Sequence, residues 1–293
     1  MVEILKQKAA LVRKPSRQKV LLILIAILLT GYLGFCLFLR FWQTRLIFFP
    51  SPFIESTPAD YNLNYEEVWL SVSTGKIHGW WIPANKADAP TILYLHGNAS
   101  NNGDNVSQAF ELHQLGLSVL LIDYRGYGYS DRSFPNEILV YEDAEEAWEY
   151  LTKKRQIEAK NIVVFGHSLG GAVAFELASR HPEMAGIIVD ATFTSIKAMI
   201  RDGFLDKIAP IDWLLTQKFD SLSKARSLST PILLIHGTKD RVVPARMSQE
   251  LFDAISGSKQ ILFIPQAGHG QTHRLGGKQY WQTIQQFVLQ TSP

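Results

Sequence analysis

The run that begins at Val20 and ends at Leu39, residues 20–39, holds no charged side chain, and only Thr30, Gly31 and Gly34 fall outside the hydrophobic set. Twenty helical residues at about 1.5 Å each span roughly 30 Å, the thickness of a bilayer's hydrocarbon core. A buried helix of a soluble protein would show a polar face, which this run lacks. The pattern predicts a transmembrane helix. A cleaved signal peptide wants a shorter apolar run and small residues at its end. Arg40-Phe41-Trp42-Gln43-Thr44-Arg45 follow instead, so an uncleaved signal anchor is expected.

Past the breaker Pro50-Ser51-Pro52 the pattern changes. Residues 65–71 and 76–82 read as an antiparallel pair around Ser73-Thr74-Gly75. Six short, continuously apolar runs follow, at 92–95, 119–122, 162–165, 187–189, 232–235 and 261–264. Runs without alternation suit strands covered on both faces. Amphipathic stretches at 106–115, 141–153, 171–180, 245–255 and 279–289 lie between or after them. The alternation predicts an α/β architecture: one open, mostly parallel eight-stranded sheet flanked by helices, with right-handed crossovers and its ligand site at the carboxyl edge. The connection after residue 189 is too long for a plain crossover. Residues 195–230 are therefore expected to form a short lid insert over that edge, carrying apolar residues such as Met199, Phe204, Ile208, Trp213 and Phe219. The expected organisation is a basic tail at 1–19, the anchor at 20–39, a juxtamembrane linker at 40–59 and the α/β domain at 60–293.

Charge sharpens this division. The net charge of +2 conceals eight Lys/Arg and one Glu in residues 1–45, which leaves 21 basic and 26 acidic residues beyond them. The positive-inside bias puts the N-terminus in the cytoplasm and the domain on the extracytoplasmic side. Phe41, Trp42, Phe48 and Phe49 are expected either to form an interfacial aromatic belt or to pack the linker onto the domain. The acidic body offers no basic face for nucleic acid. At 46% hydrophobic and 19% charged the chain is not disordered, and its single cysteine, Cys36, excludes an intrachain disulfide framework.

The strand ends carry the chemistry. Gly166-His167-Ser168-Leu169-Gly170 follows one strand and opens a helix, the G-x-S-x-G pattern in its proper setting. The turn is so tight that side chains at the flanking glycines would clash, and it projects the Ser168 hydroxyl clear of the backbone. A serine alcohol needs a base, and the base an orienting acid. His269, after the last strand, is the natural base, with His273 its rival. Asp240, after the 232–235 strand, is the favoured acid, with Asp190 a second candidate. A developing oxyanion needs main-chain donors, expected from the N–H groups of Asn98 and Leu169. Asn98 and Asn105 also begin N-x-S sequons, and a site-lining Asn98 argues against glycosylation there.

The order Ser168, Asp240, His269 on this layout resembles the α/β-hydrolase superfamily over roughly residues 60–290. The segments Leu95-His96-Gly97-Asn98-Ala99, Asp123-Tyr124-Arg125-Gly126-Tyr127-Gly128-Tyr129-Ser130 and Gly237-Thr238-Lys239-Asp240-Arg241-Val242-Val243-Pro244 look like the membrane-anchored abhydrolase-domain proteins, described as serine-aminopeptidase-like. The segment from Gln43 to Ser51 is similar too. The resemblance implies a serine hydrolase acting through an acyl-enzyme, with Asp123 and Arg125 bracing the core, and relatives that remove fatty acyl groups from proteins. Ser168 at the elbow excludes dehalogenases and epoxide hydrolases, which carry aspartate there. The chemistry calls for no metal or organic cofactor. Expected substrates are acyl esters or thioesters, lipid-like or on a protein. A peptidase would want an acidic anchor for the substrate amine, for which Asp202, Asp206 and Asp212 are available. A catalytically silent binding module would have lost the serine or the histidine. Oligomeric state is not readable from the pattern.

Overall fold

A computed structural model describes residues 16–201 and 204–292. Most of the basic tail, and Asp202 of the candidate anchor for a substrate amine, lie outside these described residues. The chain divides into two compact units, Met1–Gln43 and Thr44–Pro293.

The apolar run forms α1, Arg17–Ile47, which is 31 residues long and begins and ends outside residues 20–39. The extension has a simple cause. Gln18, Lys19, Arg40 and Gln43 are good helix formers, and no proline intervenes until Pro50, which disfavours helical geometry in the residue before it. The helix is long and apolar enough to cross a bilayer, as a single-pass anchor or as a signal sequence.

Among the described residues the second unit holds eight strands: β1 Glu66–Val72, β2 Gly75–Ile82, β3 Thr91–Leu95, β4 Ser118–Ile122, β5 Ile162–His167, β6 Gly186–Asp190, β7 Ile232–Gly237 and β8 Lys259–Ile264. They form one sheet in the order β1-β2-β4-β3-β5-β6-β7-β8. β1–β2 and β2–β4 pair antiparallel, and all other pairs are parallel. The strand order therefore reverses at β3, where the connection to β4 goes one way and β5 lies on the other side. Loops diverge at such a switch point and leave a crevice.

Helices cover both faces: α2 Val106–Gln114, α3 Glu137–Glu149, α4 Leu169–Arg180, the short α5 Ile196–Ile200, α6 Phe204–Ile208, α7 Ile211–Leu214 and α8 Ser221–Ser227, then α9 Arg246–Ala254 and α10 Thr272–Thr291. Alternate strand residues feed two cores. Leu93 and Leu95 of β3 join the core that includes Ala144, Val173 and Met247, whereas Ile92 and Tyr94 join the one that includes Leu112, Ile284 and Phe287. Both faces are apolar because both are covered.

Most elements match the sequence pattern within a few residues, with three informative differences. The helix expected at 141–153 starts at Glu137, where Asn136 Oδ1 accepts from the Leu139 N–H as an N-cap. It runs into a π turn at Tyr150–Lys154. The last helix starts at Thr272, ahead of the expected 279, because it is two helices joined across a kink at Gly277 (φ 49°). The segment 195–230, expected as a single lid insert, is broken among the described residues into four short helices, α5 to α8, and is tied near its two ends. Ile196 N–H donates to Lys218 O and Leu222 N–H to Thr194 O. The Glu137 carboxylate also accepts from the Lys218 and Phe219 N–H groups.

Candidate active site

Parallel register aligns the carboxyl ends of the central strands, pairing Leu95 with Gly166 and Gly166 with Val189. β7 and β8 end side by side at Gly237 and Ile264. Everything that follows these residues gathers on one edge. Ser168 follows β5 on a turn with φ 52° and ψ −111°, a backbone conformation that non-glycine residues rarely adopt and that persists only when the surroundings hold it. Here they do. The Ser168 N–H donates to Asp190 O, and Ser168 O accepts from the Thr192 hydroxyl, each within 2.9 Å. A Cβ at Gly170 would come 2.0 Å from Leu95 O, and one at Gly166 would come 2.3 Å from Gly170 O. Only glycine fits either position, as the motif requires.

Three side chains from three loops meet at this edge. His269 Nε2 lies 2.9 Å from Ser168 Oγ, and its Nδ1 lies 2.7 Å from Asp240 Oδ2. A carboxylate only accepts, so Nδ1 carries the proton and Nε2 faces the hydroxyl as an acceptor. The Asp240 side chain is fully buried and that of His269 mostly so. Burial alone would raise the Asp240 pKa. Hydrogen bonds from His236, His269 and the Val243 N–H outweigh it and hold the carboxyl well below the usual range. That Val243 N–H lies 2.9 Å from Oδ1, and the Val242 N–H donates to the same oxygen at 2.8 Å.

The rivals stand elsewhere. Asp190 Oδ2 accepts from the hydroxyls of Thr272 and Tyr280 and thus ties α10 to the sheet. His273 packs edge-on against Tyr280. Among the described residues, neither the Asn98 nor the Leu169 N–H donates to another protein group. Leu169 follows the serine at the first position of α4, and Asn98 lies in the loop after β3 beside Gly97, where a Cβ would come 3.4 Å from Ser168 Cβ. Asp123 and Arg125 act as braces: Arg125 donates to Asp143, Glu142, Ser73 and Thr74, and Asp123 accepts the Asn102 N–H. Asn105 is buried, with its side chain bonded to Ser100, Asn101 O and Tyr94.

Two histidines that sequence reasoning passed over support the line. His236 is completely buried, with Nε2 3.0 Å from Val243 O and 3.2 Å from Asp240 Oδ2, and Nδ1 2.6 Å from the Ser248 hydroxyl. Its signal was the four-residue spacing to Asp240 across a strand end. His167, the variable residue of the elbow, places Nε2 3.2 Å from His269 O, where it can steady the histidine loop. Burial lowers its pKa, so the ring is neutral near pH 7. A cavity of about 190 Å³ borders His269 and Asn98, lined also by His167, Asp190, Tyr94 and Tyr280. Among the described residues no cluster of His, Cys, Asp and Glu is arranged to hold a metal ion.

An eight-stranded, mostly parallel sheet with a strained serine turn at its carboxyl edge defines an α/β-hydrolase. More narrowly, the chain belongs to the serine aminopeptidase S33 family, whose model matches residues 86–224 and 213–276; it is thereby a hydrolase. It is similar to an uncharacterized protein of Mycobacterium tuberculosis, 32% identical over 263 residues that cover 88% of this chain and 92% of that protein. It is also similar to the alpha/beta hydrolase domain-containing protein WAV2 of Arabidopsis thaliana, 30% identical over 275 residues, 86% of this chain and 89% of that one. Among solved structures, a Pyrococcus furiosus esterase superposes with a TM-score of 0.68 at 21% identity, covering 83% of this chain and 98% of the esterase. That last likeness is one of fold.

Proposed function

We propose that this hydrolase cleaves carboxylic esters or thioesters of acyl chains through Ser168, His269 and Asp240. The observation that carries the reading is the continuous line from Ser168 Oγ to His269 Nε2 (2.9 Å) and from His269 Nδ1 to Asp240 (2.7 Å). In the first step His269 Nε2 takes the hydroxyl proton as Oγ attacks the carbonyl carbon. The oxyanion faces the N–H groups of Asn98 and Leu169, which carry no other load. His269 then returns the proton to the departing alkoxide or thiolate, leaving an acyl-Ser168. Water, activated by the same imidazole, releases the acid and restores the serine. Asp240 stays ionised throughout and stabilises the imidazolium.

The substrate follows from the setting. The expected lid at 195–230 exposes Phe204 and Trp213 to 74% and 86%, large apolar surfaces of the kind that marks an interaction or ligand-binding site. With α1 as a single-pass anchor and the domain on the extracytoplasmic side, lipid-like esters and acylated proteins are the substrates within reach. The peptidase reading is weaker on the described residues. Asp212 of the lid pairs with Lys197, which neutralises it as an amine anchor, and Asp206 is solvent-exposed.

A series of p-nitrophenyl esters from two to sixteen carbons tests the proposal on the full-length protein in detergent. Turnover that rises with chain length and is blocked by a fluorophosphonate supports it. Turnover confined to acetyl esters removes the acyl-chain specificity. No turnover on any ester, together with cleavage of aminoacyl amides, replaces the reading with the peptidase one.

A further inference from the structure

Residues 47–53 are stitched along the loop that follows β3. The Asn98 side chain binds both sides of this segment, Nδ2 donating to Ile47 O (2.6 Å) and Oδ1 accepting from the Phe49 N–H (2.9 Å). Oδ1 also accepts from the Tyr127 hydroxyl (2.8 Å) and the Ala99 N–H (3.0 Å). Between the two main-chain contacts Phe48 turns inward, 1% exposed, with its ring 6.0 Å from that of Phe219. Farther along, Ser51 O accepts from the Gly128 N–H, and Asn101 Nδ2 donates to Phe53 O.

The loop so held is strained and close to the nucleophile. Ala99 has φ 54°, in the left-handed region that a non-glycine residue occupies only at a cost of about 1 kcal/mol or more. A Cβ at Gly97 would come 3.4 Å from Ser168 Cβ and 2.8 Å from His167 Nδ1. The main chain of this loop therefore packs directly on the elbow. Simple docking of a linker would need neither a side chain that uses its donor and its acceptor on that linker nor a strained residue beside it.

We infer that the segment leaving α1 clamps the loop bearing the oxyanion donor, with Asn98 the positioning residue: its side chain grips residues 47 and 49 so that its own N–H stays aimed at the reacting carbonyl. The inference rests on the serine-hydrolase reading above and adds a dependence of turnover on the juxtamembrane segment. Donor placement matters steeply, since losing one oxyanion donor lowers kcat by about 10²–10³ and a displacement of about 1 Å by about 10².

The test uses full-length protein in detergent micelles, a short-chain p-nitrophenyl ester and a fluorophosphonate probe. Asn98→Ala keeps the N–H and removes the grip. It should lower kcat and the labelling rate together by roughly 10–100-fold, with KM within about twofold. Asn98→Asp, which still accepts from Phe49 and Tyr127, should recover part of kcat. Phe48→Leu loosens the segment from its own side and should lower kcat about threefold to tenfold. The double variant should fall no further than Asn98→Ala, because both changes break one coupling. A kcat for Asn98→Ala within about twofold of wild type, a loss carried by KM, or fully additive losses in the double variant each overturn the inference. Thermal midpoints separate lost folding from lost placement, and Phe48→Leu keeps the test open if Asn98→Ala fails to fold. A wild-type protein that neither labels nor turns over any ester brings down the hydrolase mechanism itself, a different outcome from an active enzyme indifferent to Asn98.

Discussion

The elbow at Ser168 and the segment 196–214, part of the lid expected at 195–230, are built on opposite principles. Around Ser168 the backbone is strained, the flanking glycines leave no room for a Cβ, and the serine's main-chain N–H and carbonyl are both hydrogen-bonded within 2.9 Å. In that segment, three helices of four or five residues expose Phe204 and Trp213, and the contacts that hold it include the 196–218 backbone pair, with Glu137 gripping the chain just beyond it. Reaction geometry tolerates displacements well under an ångström, so it is placed on rigid elements. Recognition of an apolar chain needs area more than angle, so it can rest on loosely held pieces. The contrast teaches that chemistry and specificity should respond separately to mutation here.

Substitutions at the rigid corner should have the largest effects. Ser168→Ala should remove fluorophosphonate labelling and lower kcat by up to about 10⁶, while leaving the circular dichroism spectrum unchanged. Asp240→Asn should cost about 10⁴ in kcat by allowing the wrong tautomer of His269. It also carries a pH signature. A carboxyl held below its unfolded pKa, about 3.9, contributes stability above that value and loses it as pH falls through the depressed folded pKa. Thermal melts should therefore show wild type more stable than Asp240→Asn at pH 7, with the gap shrinking below about pH 4.

Gly170→Ala tests the corner's rigidity by packing alone. Its Cβ would press on the Leu95 carbonyl, a backbone atom that cannot swing away. A loss of about 3 kcal/mol of stability is expected in urea unfolding, and a loss of less than about 1 kcal/mol would show that the elbow can relax. The smallest effect belongs to the lid. Trp213→Ser should lower kcat/KM for long-chain esters by roughly tenfold, the worth of a modest apolar contact, with little change for acetyl esters. Equal losses on both substrates would dissolve the distinction between the two regions.

Much of the corner is readable in the chain because its signals are local. Gly166, Ser168 and Gly170 are spaced by the turn they make, and the apolar runs before them identify a covered strand. The braces are less visible. His236 looks like an ordinary strand-end histidine until β7 and the 237–244 loop fold it under Asp240. Asn98 looks like an oxyanion residue and a sequon, while its side-chain partners on the segment leaving α1 lie 49 and 51 residues away. The aromatic residues beyond the apolar run are equally alike in sequence, yet Phe48 is buried at 1% whereas Phe49 is exposed at 57%.

What the linear order of residues determined by itself was periodicity and punctuation: a span with no polar face, eight strand-length runs, a serine between two obligatory glycines, and basic residues gathered at one end. These follow from the backbone's local steric menu and from where apolar side chains can be hidden. Only the tertiary structure decided which aspartate meets His269, across 29 residues, and that the ring reaches Ser168 across 101. It also assigned Asp190 to Thr272 and Tyr280, and Asn98 to the segment that leaves the helix. Those choices depend on strand order and register, which set the distances between loops that the sequence keeps far apart.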